Sequence, residues 1–248
     1  MTHGAPEEAV LLLGGTGRTG GRVLQQLLDR EVPVRALVRS AARLPEGVAS
    51  HPLLDVIEAD VVSLSPGEFV RHLEGCATVI SCLGHNTDMR SIFGPPFDVV
   101  TGTVSSVVRA AQQMRPDRPV RFILMSSVSV NRPDHGDSRR GAGERFVLTV
   151  LRALVPPARD NQRAADFLAR ANGSDGDCVE WVIVRPDTLL DGDVTEYRTS
   201  DALVGSLFKP DETNMANVAH FMCELACDDC VWQRWRGAMP VIVNAAAL

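Results

Sequence analysis

The sequence predicts an α/β fold in which helices cover both faces of a doubly wound parallel sheet. Short apolar segments rich in Val, Ile and Leu alternate along the chain with longer segments whose apolar residues have helical spacing. A glycine-rich turn stands between the first apolar segment and the first helix. With 248 residues, 45% of them hydrophobic, the chain is long enough to bury the core of such a domain.

The first strand and the turn that follows it form the most informative stretch of the sequence. The apolar run Ala9–Leu13 is followed by Gly14, Gly17 and Gly20, and an apolar helical face covers residues 23–28. A strand that turns into a helix through this glycine spacing presents backbone N–H groups and the positive end of a helix dipole to a pyrophosphate. An ordinary strand-to-helix turn without a ligand is the alternative. The spacing favours a dinucleotide-binding turn.

The end of the second strand indicates which dinucleotide the turn would hold. The strand Val34–Val38 is followed by Arg39 and Ser40, while Arg18 and Arg43 are close to them in the sequence. An NAD-specific site places an Asp or Glu here, on the ribose hydroxyls. A cation at this place can neutralise a 2′-phosphate instead, so the sequence predicts NADP(H) as the cofactor. A solvated arginine without a ligand is the alternative.

The remaining elements continue the alternation of strands and helices. Further strands are predicted at 55–59, 77–81, 121–125, 179–184 and 240–244, and further helices at 66–73, 98–114, 143–154, 160–171 and 214–228. Residues 191–213 are predicted to be irregular. Because no linker separates these elements, residues 1–248 are predicted to form a single domain.

Two segments are expected to lie near a bound ligand. Residues 131–161 interrupt the alternation after the fifth strand, where an insertion would lie over the ligand crevice and could act as a lid. A surface insertion without such a role is the alternative. Residues 187–248 follow the sixth strand and are predicted to form a small C-terminal region on the substrate side.

The composition argues against several classes of function. The net charge of −6 gives no reason to expect a nucleic-acid partner, no apolar run is long enough to span a membrane, and the N-terminus lacks signal-peptide features. A cytoplasmic protein with six reduced cysteines is therefore expected. Cys223, Cys227 and Cys230 fit no common metal-site spacing, so no metal is predicted. The Gly-x-Ser-x-Gly motif of α/β hydrolases does not occur.

Taken together, the motifs resemble those of a known family. The segments Gly14-Gly-Thr-Gly-Arg-Thr-Gly20, Arg39, Asp60-Val61, Ser126-Ser127 and Trp181-Val-Ile-Val-Arg-Pro186 are similar to motifs of the atypical short-chain dehydrogenases/reductases. Within that group the sequence is most similar to the NmrA-like and flavin-reductase-like (biliverdin reductase B type) branch. The resemblance covers nearly the whole chain and implies a Rossmann-like fold that binds NADP(H).

The resemblance also implies roles for individual residues around the dinucleotide. It assigns the pyrophosphate to Gly14, Thr16, Gly17, Arg18 and Thr19, and the adenosine phosphate to Arg39. It assigns the adenine to Asp60 and Val61, the riboses to Cys82, Leu83 and Gly84, and the nicotinamide to Ser126, Ser127 and Pro186. All these positions are expected just beyond the carboxyl ends of strands, where open α/β sheets bind their ligands.

One departure from the wider superfamily bears on the chemistry. Most of its enzymes use a Tyr-x-x-x-Lys pair, but the matching region, residues 158–166, contains neither residue type. Tyr197 and Lys209, the only tyrosine and the only lysine of the chain, follow the sixth strand and have the wrong spacing. Hydride transfer itself needs only alignment of nicotinamide and acceptor, whereas a missing proton donor typically costs about a hundredfold in rate or more.

This departure favours acceptors that take their protons from solvent once reduced, such as flavins and quinones. The sequence therefore predicts an NADPH-dependent reductase that transfers hydride to a flavin, a quinone or a similar conjugated small-molecule acceptor. Ser127 is the candidate for positioning the acceptor or relaying a proton, and His85 is the candidate proton donor. A serine that only satisfies backbone groups and a solvated loop histidine are the alternatives. Asp160 and Asn161, in the region of the lost tyrosine, are weaker candidates.

Two other functions remain open at this point. The missing pair favours a non-catalytic, redox-sensing regulator of the NmrA type that binds NADP(H) and a protein partner, whereas the lid over residues 131–161 favours the reductase. An epimerase or dehydratase acting on nucleotide sugars is weakened by the lost tyrosine and the modest C-terminal region. No heptad repeat or apolar interface stripe is visible in the sequence, which favours a monomer.

Overall fold

The structure is a computed structural model that describes residues 8–45, 47–84, 97–132, 137, 140–171 and 178–245. The strands are β1 (Ala9–Leu13), β2 (Val34–Val38), β3 (Leu54–Glu58), β4 (Cys76–Ser81), β5 (Val120–Met125), β6 (Val179–Pro186), β7 (Thr188–Leu190), β8 (Tyr197–Ser200), β9 (Glu212–Asn214) and β10 (Val241–Asn244). The α-helices are α1 (Arg18–Leu28), α2 (Pro66–Leu73), α3 (Val99–Met114), α4 (Ala142–Leu154), α5 (Pro156–Ala171), α6 (Met215–Cys227) and α7 (Asp229–Trp235). Within these ranges no helix is long and apolar enough to cross a membrane.

The strand order of the main sheet defines where a ligand crevice can form. The order is β3-β2-β1-β4-β5-β6-β10-β8, and neighbouring strands are parallel except for β10 and β8. β7 and β9 form a separate parallel pair. The chain winds outward from β1 in one direction as far as β3 and then in the other direction from β4 onward. The carboxyl ends of β1 and β4 therefore flank the topological switch point, where such sheets leave a crevice.

Alternate residues of the strands face two separate layers of helices. In β1, Leu11 and Leu13 belong to a core shared with α2, α3 and α5, whereas Val10 and Leu12 belong to a core shared with α1, α6 and α7. Successive side chains of a strand point to opposite faces of a sheet, and a strand that is buried on both faces needs an unbroken apolar run. The predicted doubly wound α/β fold with helices on both faces is confirmed.

Helix α2 illustrates how local signals set the boundaries of an element. It begins and ends as predicted, at Pro66 and Leu73. The Ser65 hydroxyl accepts the N–H of Glu68 at 3.4 Å, while the Glu68 carboxylate accepts the N–H of Ser65 at 2.9 Å. This capping box satisfies two N–H groups that a helix start otherwise leaves unpaired.

The C-terminal region departs most from the sequence prediction. Residues 191–213 were predicted to be irregular, but Tyr197–Ser200 pairs antiparallel with β10 as the edge strand β8. Helix α7 was not predicted, although the Asp228 carboxylate caps it by accepting the N–H of Cys230 at 2.7 Å. Both elements are short, and β8 has no run of apolar residues because it lies at an edge of the sheet.

A cluster of three asparagines, of which Asn217 is fully buried, holds this region against the end of the sheet. Asn217 of α6 is fully buried, and its Oδ1 accepts the N–H of Thr195 at 2.8 Å. Its Nδ2 donates to the Asn244 Oδ1 at 2.8 Å, and Asn244 in turn donates to the Asn214 Oδ1 at 3.0 Å. Because amide side chains both donate and accept, they join the loop before β8, the start of α6 and the end of β10.

Candidate functional site

The turn between β1 and α1 can be formed only by the glycines that the sequence places there. Gly14 has φ +84°, a conformation that L side chains rarely adopt, and a Cβ on it would lie 2.9 Å from the backbone carbonyl carbon and oxygen of Cys82. The Gly17 N–H donates to the Gly14 carbonyl at 3.0 Å and closes the turn. This turn therefore lies directly against the loop that follows β4.

Gly20 allows the first turn of α1 to pack onto the strand end. A Cβ on Gly20 would lie 2.1 Å from the Gly14 carbonyl oxygen, far inside any real contact distance. At Gly21, the next residue, a Cβ would meet the Gly15 carbonyl oxygen at an ordinary 3.5 Å. The helix thus approaches the turn at one glycine and leaves room at the next.

The N-terminus of α1 is open to an anion. Its N-cap residue, Gly17, has no side chain that could accept an N–H, and the first turn contains no acidic residue. Unpaired N–H groups at a helix start and the helix dipole both favour a negatively charged ligand. Arg18, at the first position of the helix, is exposed, while Thr19 is buried.

The other residues predicted for the site lie along the same edge of the sheet, because the strands that precede them are parallel. Arg39 follows β2, Asp60 and Val61 follow β3, Cys82, Leu83 and Gly84 follow β4, Ser126 and Ser127 follow β5, and Pro186 ends β6. The Cys82 N–H donates to the Leu13 carbonyl at 2.9 Å and fixes its loop beside the glycine turn. Burial raises the pKa of the Cys82 thiol to about 12, so the thiol is neutral near pH 7.

The loop after β2 carries a cation and lies beside a carboxylate at the end of β3. Arg39 is exposed and has no ion pair within the described part of the chain. Ser40 precedes a short 3₁₀ turn, Ala41–Arg43, and the N–H of Ala41 donates to the Glu58 carboxylate at the end of β3. A free arginine suits a phosphate, whereas the Glu58 carboxylate would repel one.

Two buried hydroxyls at this edge have no hydrogen-bond partner among the described residues. Ser81 ends β4 and is 1% exposed, and Ser126 follows β5 and is 8% exposed. Neither Oγ has a hydrogen-bond partner in the structure, and buried hydroxyls are ordinarily paired. Ser81 was not predicted as a site residue. The sequence does carry a signal for Ser81 as a site residue: it is a polar residue that ends a mostly apolar strand.

A known family model matches most of the chain. The sequence model of a family described as NAD(P)H-binding matches residues 14–229, from the first glycine of the turn to the start of α7. The chain belongs to this NAD(P)H-binding family. Its cofactor is therefore NAD(P)H, in agreement with the prediction made from the glycine spacing.

Individual relatives of this NAD(P)H-binding protein are distant. It is 26% identical over 231 residues to an uncharacterised chloroplastic protein of Arabidopsis thaliana. That alignment covers 86% of this chain and 78% of the relative. It is also 27% identical over 241 residues to averufin oxidase of Emericella nidulans. That alignment covers 87% of this chain and 76% of the relative.

Solved structures with the same fold include two bacterial proteins. The oxidoreductase ylbE of Lactococcus lactis matches with a TM-score of 0.69 and 19% identity, over 96% of this chain and 92% of the other. A candidate NADH-flavin reductase of Streptococcus pneumoniae matches with a TM-score of 0.65 and 14% identity, over 96% of this chain and 100% of the other. At these identities, the likeness establishes the fold.

The described residues of the NAD(P)H-binding protein fit the cofactor. A pyrophosphate requires close approach to the backbone at the start of α1, and the N-cap residue there, Gly17, is exposed and has no side chain in the way. The hydroxyls of Ser81 and Ser126 are unpaired donors at the ends of the strands beside it. Asp60 is held locally, since its carboxylate accepts the Val62 N–H at 3.3 Å, and Val61 beside it is buried.

Of the two residues predicted to take part in catalysis, Ser127 lies in the described part of the chain. The Ser127 Oγ lies 2.5 Å from the Ser129 Oγ and accepts the Ser129 N–H at 3.2 Å. These hydrogen bonds engage the Ser127 hydroxyl within a local turn. They match the alternative given above, in which the serine only satisfies nearby backbone groups. His85 lies outside the described residues.

Asp160, Tyr197 and Lys209 were weighed above as substitutes for a Tyr–Lys pair. Each makes contacts that stabilise the fold. Asp160 is buried on α5, and its carboxylate accepts the N–H groups of Val100 and Thr101 at 2.8 and 3.0 Å, capping α3. Tyr197 donates to the Glu224 carboxylate on α6. Burial, together with this hydrogen bond, raises the pKa of Tyr197 above its ordinary value, so it is a poor source of phenolate. Lys209 lies in an exposed turn, where its N–H donates to the Ser206 carbonyl at 3.1 Å.

A buried ion pair near the carboxyl end of β6 was missed by sequence reasoning. Arg185 of β6 is fully buried, and its Nη1 lies 3.0 and 2.9 Å from the two carboxylate oxygens of Asp137. Arg185 also donates to the carbonyls of Met239 and Val130 at 2.9 and 3.1 Å. Burial lowers the pKa of the Arg185 guanidinium, while the Asp137 carboxylate opposes that shift. An arginine inside the apolar run of β6 was the available signal, because a buried charge needs a partner.

The ion pair ties the predicted lid to the sheet. Asp137 lies within residues 131–161, and Arg185 directly precedes Pro186, which is predicted to border the nicotinamide. Arg140, also buried, donates to the Val128 carbonyl, and Arg152 of α4 donates to the Ser129 carbonyl at 2.6 Å. The described part of this segment is thus fastened to the loop after β5, beside Ser126 and Ser127.

Proposed function

We propose that this protein is an NADPH-dependent reductase that transfers hydride to a flavin, a quinone or a similar conjugated acceptor. Two observations together carry the proposal. The start of α1 is free to bind a pyrophosphate, and the region that usually supplies the catalytic tyrosine contains Asp160 instead. Asp160 occupies the region of the usual tyrosine and is bound to the N-terminus of α3. An acceptor that takes its protons from solvent avoids the need for that tyrosine.

The chain's own residues would then act mainly by binding and orientation. The nicotinamide supplies the hydride. The N–H groups at the start of α1 would hold the pyrophosphate, and the hydroxyls of Ser81 and Ser126 would donate to the ribose and nicotinamide portions. Ser127 would give up its hydrogen bond to the Ser129 hydroxyl, and its Oγ would bind and position the acceptor instead. Residues 187–245 would close the acceptor side of the crevice.

A reductase assay tests the function directly. Purified protein is mixed with NADPH and a panel of FMN, riboflavin, several quinones and several simple aldehydes and ketones, and loss of the reduced-nicotinamide absorbance is followed. Turnover on flavins or quinones without turnover on simple carbonyls is expected. Efficient reduction of simple aldehydes or ketones would contradict the proposal, because such carbonyls need a dedicated proton donor.

A redox-sensing regulator is the second candidate, and one observation favours it. Along the described carboxyl edge of the sheet, the Ser127 hydroxyl is engaged locally and the Cys82 thiol is neutral, so neither supplies a ready acid/base group. Tight NADPH binding with no turnover on any acceptor would support this function. A protein partner would then be sought with the NADPH-bound form as bait.

The preference for NADPH over NADH is proposed to depend on Arg39. Changing Arg39→Asp removes a charged donor and adds a like charge beside the 2′-phosphate, so NADPH affinity should fall roughly 100-fold while NADH affinity changes little. Isothermal titration calorimetry with both cofactors measures the two dissociation constants. The Glu58 carboxylate nearby is the feature that favours the opposite preference.

The control for this prediction is Arg109→Asp, which makes the same charge change at an exposed position of α3. It should leave both affinities close to those of the natural chain. Equal losses in the two variants would indicate a long-range effect of net charge. Unchanged NADPH affinity in Arg39→Asp would remove the basis for the NADP(H) assignment.

A further inference from the structure

Helix α4 carries an apolar face on its exposed side. Its inward face carries the buried residues Glu144 and Leu148. The opposite face consists of exposed positions without a charge: Ala142, Gly143, Phe146, Val147, Val150, Ala153 and Leu154. At 3.6 residues per turn these positions fall within an arc of roughly 140°. The apolar stripe of a helix normally packs against another element, and among the described residues this outer face has no such partner.

A neighbouring segment extends this apolar face. The Leu207 N–H donates to the Glu144 carboxylate at 2.6 Å, which holds the turn around residues 204–208 against the first turn of α4. Phe208 in this turn is 71% exposed, and Val204 and Leu207 are also exposed. We refer to the seven outer positions of α4 together with Val204, Leu207 and Phe208 as the α4 surface.

The α4 surface is large enough to form an interface. Phe146 and Leu154 are 70% and 68% exposed, and the exposed apolar side chains of the surface together offer on the order of 600 Å². That area is at the upper end of the largest apolar patches on monomers, roughly 300–600 Å². It also approaches the roughly 800 Å² that each partner contributes to a standard stable interface.

The chemistry of the surface favours another copy of the same surface as its occupant. The exposed positions of α4 include a single charged residue, Arg145, so a charged partner or an anionic membrane finds little to pair with. The other large exposed apolar residues of the described chain, Val62, Phe97 and Val194, lie far from α4 in the sequence, at separate loops. An uncharged apolar helix face is complementary to itself across a two-fold axis.

We propose that the protein forms a homodimer in which the α4 surfaces of two copies pack against each other. Phe146, Val150 and Leu154 are spaced four residues apart and form one ridge along the helix. Ridges of this spacing interdigitate between two helices at a crossing angle of about −50°. Gly143 and Ala153 flank the ridge and leave room for the partner's side chains.

The proposal is tested by sedimentation velocity over a wide range of protein concentrations. The natural chain is expected to dimerise, and Val150→Asp and Phe146→Asp should each weaken the dimer at least ~30-fold, because a charge is buried at the interface centre. Val194→Asp changes a valine outside the α4 surface that is 47% exposed, compared with 39% for Val150, and should leave the dimer intact. Both α4 positions are exposed in the monomer, so circular dichroism should show that the variants fold.

A second measurement needs no substitution. Hydrogen exchange of the natural chain at low and high concentration should show added protection in α4 and residues 204–208 as the dimer forms. A monomer at every concentration, or a dimer unaffected by Val150→Asp and Phe146→Asp, would overturn the proposal. Binding of the monomer to phosphatidylcholine–phosphatidylglycerol vesicles would overturn it in favour of a membrane contact.

Discussion

Replacing Asp137 with asparagine is expected to destabilise the protein by about 3–5 kcal/mol, the typical cost of removing one partner from a buried ion pair. Arg185 is fully buried and would keep its charge without the carboxylate that compensates it. At about 2–4 °C per kcal/mol for a chain of this size, the melting temperature should fall by roughly 10 °C. Urea unfolding followed by circular dichroism and a thermal melt give the two values.

The matched control is Asp229→Asn, because Asp229 also pairs with an arginine, Arg121, but is exposed. An exposed pair contributes at most about 1 kcal/mol, so this variant should unfold almost as the natural chain does. The double change Asp137→Leu with Arg185→Met removes both charges of this pair, but the buried Arg140, 3.8 Å from the Asp137 carboxylate, keeps its charge, so only part of the lost stability should return. Equal stability of Asp137→Asn and the natural chain would show that the pair contributes little.

Replacing Gly20 with alanine is expected to lower NADPH affinity roughly 100-fold or more and to destabilise the fold by about 1–3 kcal/mol, as overpacking does. The added methyl group would lie 2.1 Å from the Gly14 carbonyl oxygen, so α1 must move away from the turn. That movement misplaces the N–H groups that would hold the pyrophosphate. Calorimetric titration with NADPH and a thermal melt measure the two effects.

Gly21→Ala is a control of the same chemistry one residue further along α1. Its methyl group has an ordinary contact at 3.5 Å, and alanine is the better helix former by about 1 kcal/mol. This variant should keep NADPH affinity and melt at the same temperature or slightly higher. The two glycine variants therefore differ in the sign of their effect on stability. Full NADPH affinity in Gly20→Ala would contradict the close packing of α1 on the turn.

Local patterns were sufficient to predict most elements of the fold, but not the short elements β7, β8, β9 and α7. The unbroken apolar run of β1, the glycines after it and the capping box of α2 are signals carried by residues within a few positions of each other. Because parallel strands end at one edge, the strand order also places Arg39, Cys82 and Ser126 along that edge. The predicted positions that the structure describes therefore follow strands ending at one edge of the sheet, and the cofactor class agrees with the family.

Contacts between distant parts of the chain were decided only by the tertiary structure. Asp160 caps a helix that begins about sixty residues earlier, and Arg185 finds its carboxylate 48 residues away. The apolar residues of α4 look alike in the sequence, but packing buries Leu148 and leaves Phe146 exposed. A periodic pattern specifies that a helix has an apolar face. Which face meets the core, and which charge meets which partner, depends on where the fold places the neighbouring elements.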